Sequence, residues 1–177
     1  MSSRARLRIA LVVVGIAAAI AVAIILLLTR HDSQTPTGAG TGAGSASSDL
    51  SDPLVAEFRE TERNSLTTFN AALARQRRNE IDEVGLALEI DEHVLPAWHA
   101  LRTKLDAATP PTRNAALYAA IRRYLAARET AWQAYVAGLR SQSDADARRH
   151  YDAYHANDAD ADNAAREIGA LFRAANP

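Results

Sequence analysis

Residues 112–140 read TRNAALYAAIRRYLAARETAWQAYVAGLR. Within them Tyr118, Ile121, Leu125, Arg128, Trp132, Tyr135 and Leu139 recur at alternating steps of three and four. That spacing lays one seam along one side of an α-helix, the pattern by which helices pack in bundles and coiled coils. The stretch contains no proline and a single glycine, Gly138, so a helix can run through it for about eight turns.

The same pattern continues on both sides. Upstream, Ala107-Ala108-Thr109-Pro110-Pro111 is the clearest loop in the chain. Before it, Ile81, Val84, Leu88, Asp91, Leu95, Trp98, Arg102 and Leu105 form a second 3-4 seam, in which Pro96 should kink or interrupt the helix near His93 and Val94. Earlier still, Val55, Phe58, Glu62, Ser65, Phe69, Ala72 and Gln76 make a looser seam, opened by Asp52-Pro53, an acidic N-cap with proline at the first helical position. Downstream, Ser141-Gln142-Ser143 makes a break with Ser143 as N-cap, followed by Ala147, Tyr151, Tyr154, Asp158, Ala161, Ala165, Ile168 and Phe172. The expected fold is all-α: helices at about 52–78, 79–106, 112–140 and 144–174 joined by short loops into an antiparallel four-helix bundle, a rod about 40 Å long.

Each seam is broken once near its middle by an ionisable residue: Glu62, Asp91, Arg128 and Asp158. In an up-down-up-down bundle mid-helix positions share a height, so these four are the candidate polar layer. One guanidinium can serve two carboxylates, and the excess negative charge then requires a proton, a water or a cation. Such a layer either fixes register or holds a small ligand or ion.

A metal centre fits the spacing poorly. Glu89 and His93 lie four apart, and His155, Asp158 and Asp162 share a face, but a di-iron bundle needs Glu-x-x-His on two helices and the motif is absent. No metal and no cofactor are expected. Trp98, Trp132, Tyr118, Tyr135, Tyr151 and Tyr154 fall on the seams and read as core. Tyr124, one position off its seam, is expected to face outward.

Composition narrows the function classes. The chain is 48% hydrophobic with no cysteine, which removes disulfides and thiolate chemistry. Beyond the linker, sixteen Arg/Lys and twenty Asp/Glu are interspersed. A nucleic-acid partner calls for a concentrated basic face, which is missing. There is no nucleophile elbow, phosphate-binding glycine loop or zinc-protease motif, so catalysis is not expected.

Outside the bundle, residues Ile9 to Leu28 are twenty consecutive uncharged, almost wholly apolar residues. A run of about 20 spans the hydrocarbon core of a bilayer. A secretory signal peptide has a shorter apolar region, about 7–15 residues, so an uncleaved anchor over residues 9–29 is expected. Arg4, Arg6 and Arg8 precede it and a lone Arg30 follows, which places a cytoplasmic tail at residues 1–8 and the rest outside. Gly15, Ala19 and Ala23 recur every four residues, a candidate packing seam between transmembrane helices. Residues 30–48, rich in Gly, Ser, Thr and Ala, read as a flexible tether with a reach of about 20–25 Å.

Heavy use of Ala and Arg with one Lys suits a GC-rich bacterial genome, so the bundle, residues 49–177, is expected in the periplasm or at the cell surface, held by the inner membrane. The function expected is a membrane-anchored, non-enzymatic helical interaction module, with a protein partner in the envelope or a second copy of itself besides the lipid bilayer. The alternative is a ligand-sensing bundle acting through a separate membrane partner, since an eight-residue tail holds no output domain.

Overall fold

Asp52 starts the first helix. Its Oδ1 accepts from the backbone N–H of Leu54 at 2.9 Å and of Val55 at 3.4 Å, and Pro53 occupies the first turn, where it sacrifices no hydrogen bond. From there the computed structural model, which describes residues 52–175, is all-α. Its helices are α1 (Pro53–Arg77), α2 (Glu83–His93), α3 (Leu95–Ala107), α4 (Ala115–Arg140) and α5 (Asp144–Ala175), with a 3-10 turn at Thr112–Asn114. No strand occurs among the described residues. The expected tail, transmembrane segment, tether and Gly15-Ala19-Ala23 seam lie outside them. Among the described residues no helix is long and apolar enough to cross a membrane.

Side-chain pairs give the topology. Glu57 meets Lys104 (2.5 Å) and Ser65 meets Trp98 (2.7 Å), so α1 and the α2–α3 arm run antiparallel. Asp91 meets Arg140 (2.5 Å) and Arg102 meets Glu129 (2.7 Å), which sets that arm antiparallel to α4. Arg123–Glu167 (2.5 Å) and Arg128–Asp158 do the same for α4 and α5. Between α1 and α4 both numbers rise together, Asp52 with Tyr118 and Phe69 with Trp132, as in the diagonal pair of an up-down-up-down bundle.

Two helix starts differ from expectation, and one interruption falls where it was expected. Asn79 takes a positive φ of 59°, and Glu80 N–H reaches Arg75 C=O at 3.0 Å while Asn79 N–H reaches Gln76 C=O at 2.9 Å. This Schellman closure ends α1, and the next helix cannot begin until Asp82 caps it through Gly85 N–H at 2.8 Å, so α2 starts four residues later than Asn79. The interruption expected from Pro96 falls at Val94, two residues before the proline, whose missing N–H and ring break the ladder. Finally, the third helix begins as a 3-10 turn at Thr112 and becomes α-helical at Ala115.

Helix α4 is the centre of the core. Besides the predicted seam, it buries Leu117, Ala120, Tyr124, Ala131 and Gly138, a parallel row offset by one residue. Two adjacent buried rows mean partners on more than one side: in the offset row Tyr124 meets Trp98 of α3 and Phe58 of α1, and Gly138 faces Tyr151 of α5. Small residues let α5 lie close to α4; Ala161, Ala164 and Ala165 are buried, and a Cβ built on Gly138 would sit 2.7 Å from the Tyr151 ring. Toward α1 the filling is aromatic, with Phe58 on Tyr124 at 5.4 Å and Phe69 on Trp132 at 4.9 Å, both edge-on.

The seam of the second arm turns over along its length. Trp98 and Leu105 are buried as expected. In α2, however, Leu86, Ala87, Ile90 and Val94 face the core, whereas Val84 is 51% exposed and Leu88 46%. Helix α2 therefore has two apolar faces, and the more regular of them points outward.

Candidate functional site: a buried polar layer and an outward apolar stripe

Spacing of four residues places Tyr124 and Arg128 on one face of α4, and Asp158 and Asp162 on one face of α5. With Glu62 of α1 they build a polar layer inside the bundle. Tyr124 donates its phenolic proton to Glu62 Oε1 at 2.7 Å. The Arg128 guanidinium lies 5.3 Å from the centre of the Tyr124 ring, pairs with Asp158 and approaches Asp162 Oδ1 at 3.6 Å. The Arg128 side chain is only 7% exposed. Phe58 and Trp98 wall the layer against the Tyr124 ring, and Trp98 Nε1 donates to Ser65 Oγ at 2.7 Å.

Electrostatics in this layer favour stored protons. Burial pushes the Glu62 carboxyl above its ordinary pKa, with Asp158 adding to the rise while Arg128 and the Tyr124 hydroxyl oppose it. Asp162 is also raised, by burial and by neighbouring Asp158, against the pull of Arg128. Burial acts to lower Arg128, but the surrounding oxygen groups of Tyr124, Glu62 and Asp158 outweigh it and keep the guanidinium charged. Burial and the Glu62 charge hold the Tyr124 phenol un-ionised, as a donor. One cation faces three carboxylates, so the arrangement binds Arg128 firmly.

Three of the four predicted layer residues come together: Glu62, Arg128 and Asp158. Asp91 does not. Its side chain is 32% exposed and pairs with Arg140 near the end of α4. Arg102, level with Glu129, marks the height of Arg128 on the second arm, about three turns or 16 Å from Asp91. The displacement arises because the chain after α3 lies along the first two turns of α4, where Arg122 holds the carbonyls of Leu105 and Ala108. Helix midpoints are therefore not level.

Tyr124 was expected outside and is 1% exposed. Its place is fixed by the second buried row of α4. Asp162 and Glu129 are further members that the seam alone misses. Glu129 is buried against α3, where it meets Arg102 at 2.7 Å and His99 Nδ1 at 3.3 Å. The available signal was the spacing: Tyr124 lies one turn before Arg128 and Asp162 one turn after Asp158. Glu62 Oε2, Arg128 Nε, Trp132 Nε1 and Tyr135 Oη are among seven buried side-chain atoms with no hydrogen-bond partner among the described residues. No group of three or more acidic or His side chains among these residues is arranged to hold a metal ion.

The second feature is the outer face of α2. Ile81, Val84, Leu88, Asp91 and Leu95 keep the 3-4 repeat, with Val84 and Leu88 exposed and the other three half-buried. An open groove of about 460 Å³ adjoins it, lined by Asn79, Glu80, Ile81, Asp82 and Gly85. Stripe and groove lie at the end of the bundle remote from Asp52. No family model, curated protein or solved structure matches the chain.

Proposed function

We propose that the chain is a membrane-anchored, non-catalytic helical module that presents the far end of its bundle, outside the membrane, to a protein partner. The observation that carries this is the outward apolar stripe in which Val84 and Leu88 of α2 are exposed, flanked by half-buried Ile81 before the helix and Leu95 at the start of α3. A core-type 3-4 repeat turned to water serves a helical partner better than it serves the monomer. The anchor rests on the apolar run from Ile9 to Leu28.

The test is site-specific photocrosslinking in intact membranes of the producing cell. A photoreactive residue at Leu88 should give a discrete adduct that the same residue at Ala126, exposed on α4, does not. Equal labelling at both positions, or none at either, refutes the docking face. A second reading, a ligand-sensing bundle working through a membrane partner, is favoured by the row of buried donors Arg128 Nε, Trp132 Nε1 and Tyr135 Oη on α4. Thermal melts against a metabolite and metal panel test it, since a ligand of the folded state raises apparent stability. A flat panel removes it.

A further inference from the structure

We infer that the partner on α2 is a second copy of this chain, paired parallel and side by side through the Ile81-Val84-Leu88-Leu95 stripe. The inference rests on the docking and anchoring proposed above and gives that face its occupant. A 3-4 stripe packs best against another with the same repeat, and a second copy supplies it in register.

Charge decides the direction. At about 100° per residue, Asp91 and Glu92 fall roughly 40° and 60° to either side of the line through Val84 and Leu88 on α2. The Asp91 flank carries Arg140, 42% exposed and joined to Asp91 at 2.5 Å. The opposite flank carries exposed Glu92. A two-fold axis running along the helices sets the Glu92 flank of each copy against the Arg140 flank of the other. The heights match, because Arg140 is level with Asp91, the residue before Glu92. Turning one copy over places Glu92 against Glu92, which opposes like charges on that rim, while the Asp91–Arg140 rim is neutral. The parallel arrangement also sends both Asp52 ends the same way.

Because the chain has no cysteine, single cysteines can report the geometry in the full-length protein in its membrane. Val84→Cys and Leu95→Cys, about 16 Å apart along the arm, should each form disulfide-linked dimers on mild oxidation, while Ala126→Cys should not. Only a parallel pair lets both positions meet their own counterparts. Dimer at one of the two positions overturns the parallel arrangement, and yields no higher than that of Ala126→Cys overturn the pairing itself. In the Val84→Cys background, Glu92→Arg and Arg140→Glu should each lower dimer yield roughly threefold, the effect of a rim ion pair, and the two together should restore it. No loss with either single change refutes the charge match. Membrane flotation is read separately. A chain that fails to float tells against the anchor, and the same crosslinks measured in solution still decide the pairing.

Discussion

Replacing Arg128 by methionine tests the polar layer most directly. The side chain is 7% exposed, and it is the cation that faces Glu62, Asp158 and Asp162 in the layer. Methionine fills much of the same volume without charge, so the variant leaves the carboxylates buried and unpaired. Breaking a buried pair in this way costs about 3–5 kcal/mol, against about 0.2–1 kcal/mol for an exposed pair. With a urea m-value of about 1–3 kcal/mol/M, the unfolding midpoint should fall by about 2 M. The readout is tryptophan fluorescence in the full-length chain, because both tryptophans, Trp98 and Trp132, lie in the bundle and Trp132 is one turn from Arg128. The penalty should shrink as the pH falls from 7 to 4.5, since the abandoned carboxylates then take up protons. Adding Asp158→Leu should recover most of the loss, because an apolar replacement of both partners is often neutral or stabilising. A shift below about 1 kcal/mol, or a penalty independent of pH, would refute a buried, paired Arg128.

Four further outcomes follow from named contacts. Tyr124→Phe removes the donor to Glu62 Oε1 and should cost about 1–3 kcal/mol in the same unfolding assay; a neutral result would mean that Glu62 reaches water. Glu62→Gln imitates the protonated acid. Since burial raises the Glu62 pKa, its stabilising contribution is complete below the ordinary value of 4.5 and is lost as pH rises through the folded-state value, so the Gln variant should gain on the native chain as pH rises. A Gln variant that loses stability relative to the native chain as pH rises would contradict that sign. Asp52→Ala removes the cap of α1 and the acceptor for Tyr118 Oη, at 2.8 Å, and should cost about 2 kcal/mol or more by chemical denaturation, of which Asp52→Ser returns the capping share. At Asn79, φ 59° predicts that Gly is tolerated whereas Val lowers the melting temperature; equal melting temperatures would dispose of the Schellman closure.

The helices of this fold were legible because their signals are local. Asp52-Pro53, Ser143 and the Pro110-Pro111 loop each act through a neighbouring backbone group, and the structure realises them: Ser143 Oγ accepts from Asp146 N–H at 3.1 Å, and α5 begins at Asp144. The 3-4 repeat of α4 likewise lies on the buried face from Tyr118 to Leu139. Height was not legible. Which residue of the second arm stands level with Arg128 depends on how far the segment after Ala107 lies back along α4, a matter of Arg122 binding two carbonyls. No periodicity within one helix encodes that. Asp91 was consequently placed in the layer, and Tyr124 and Asp162, which belong to it, were not.

The α2 seam shows a subtler limit of periodicity. A hydrophobic repeat states that a face will be covered, but not by what. In α2 the irregular set, Leu86, Ala87, Ile90 and Val94, is covered by the bundle itself, and these residues are fully buried. The regular set faces water in the single chain, where Val84 and Leu88 gain nothing from their spacing. The face that periodicity assigns to the core is thus the one that the fold leaves outside. A coiled-coil repeat that the parent fold does not use has a physical explanation only if another helix covers it, and parallel pairing of two tethered copies meets that requirement with Glu92 and Arg140 on opposite rims. If Val84→Cys and Leu95→Cys fail to link, the repeat is left as a surface pattern without a partner, and the case for an interaction module loses its main support.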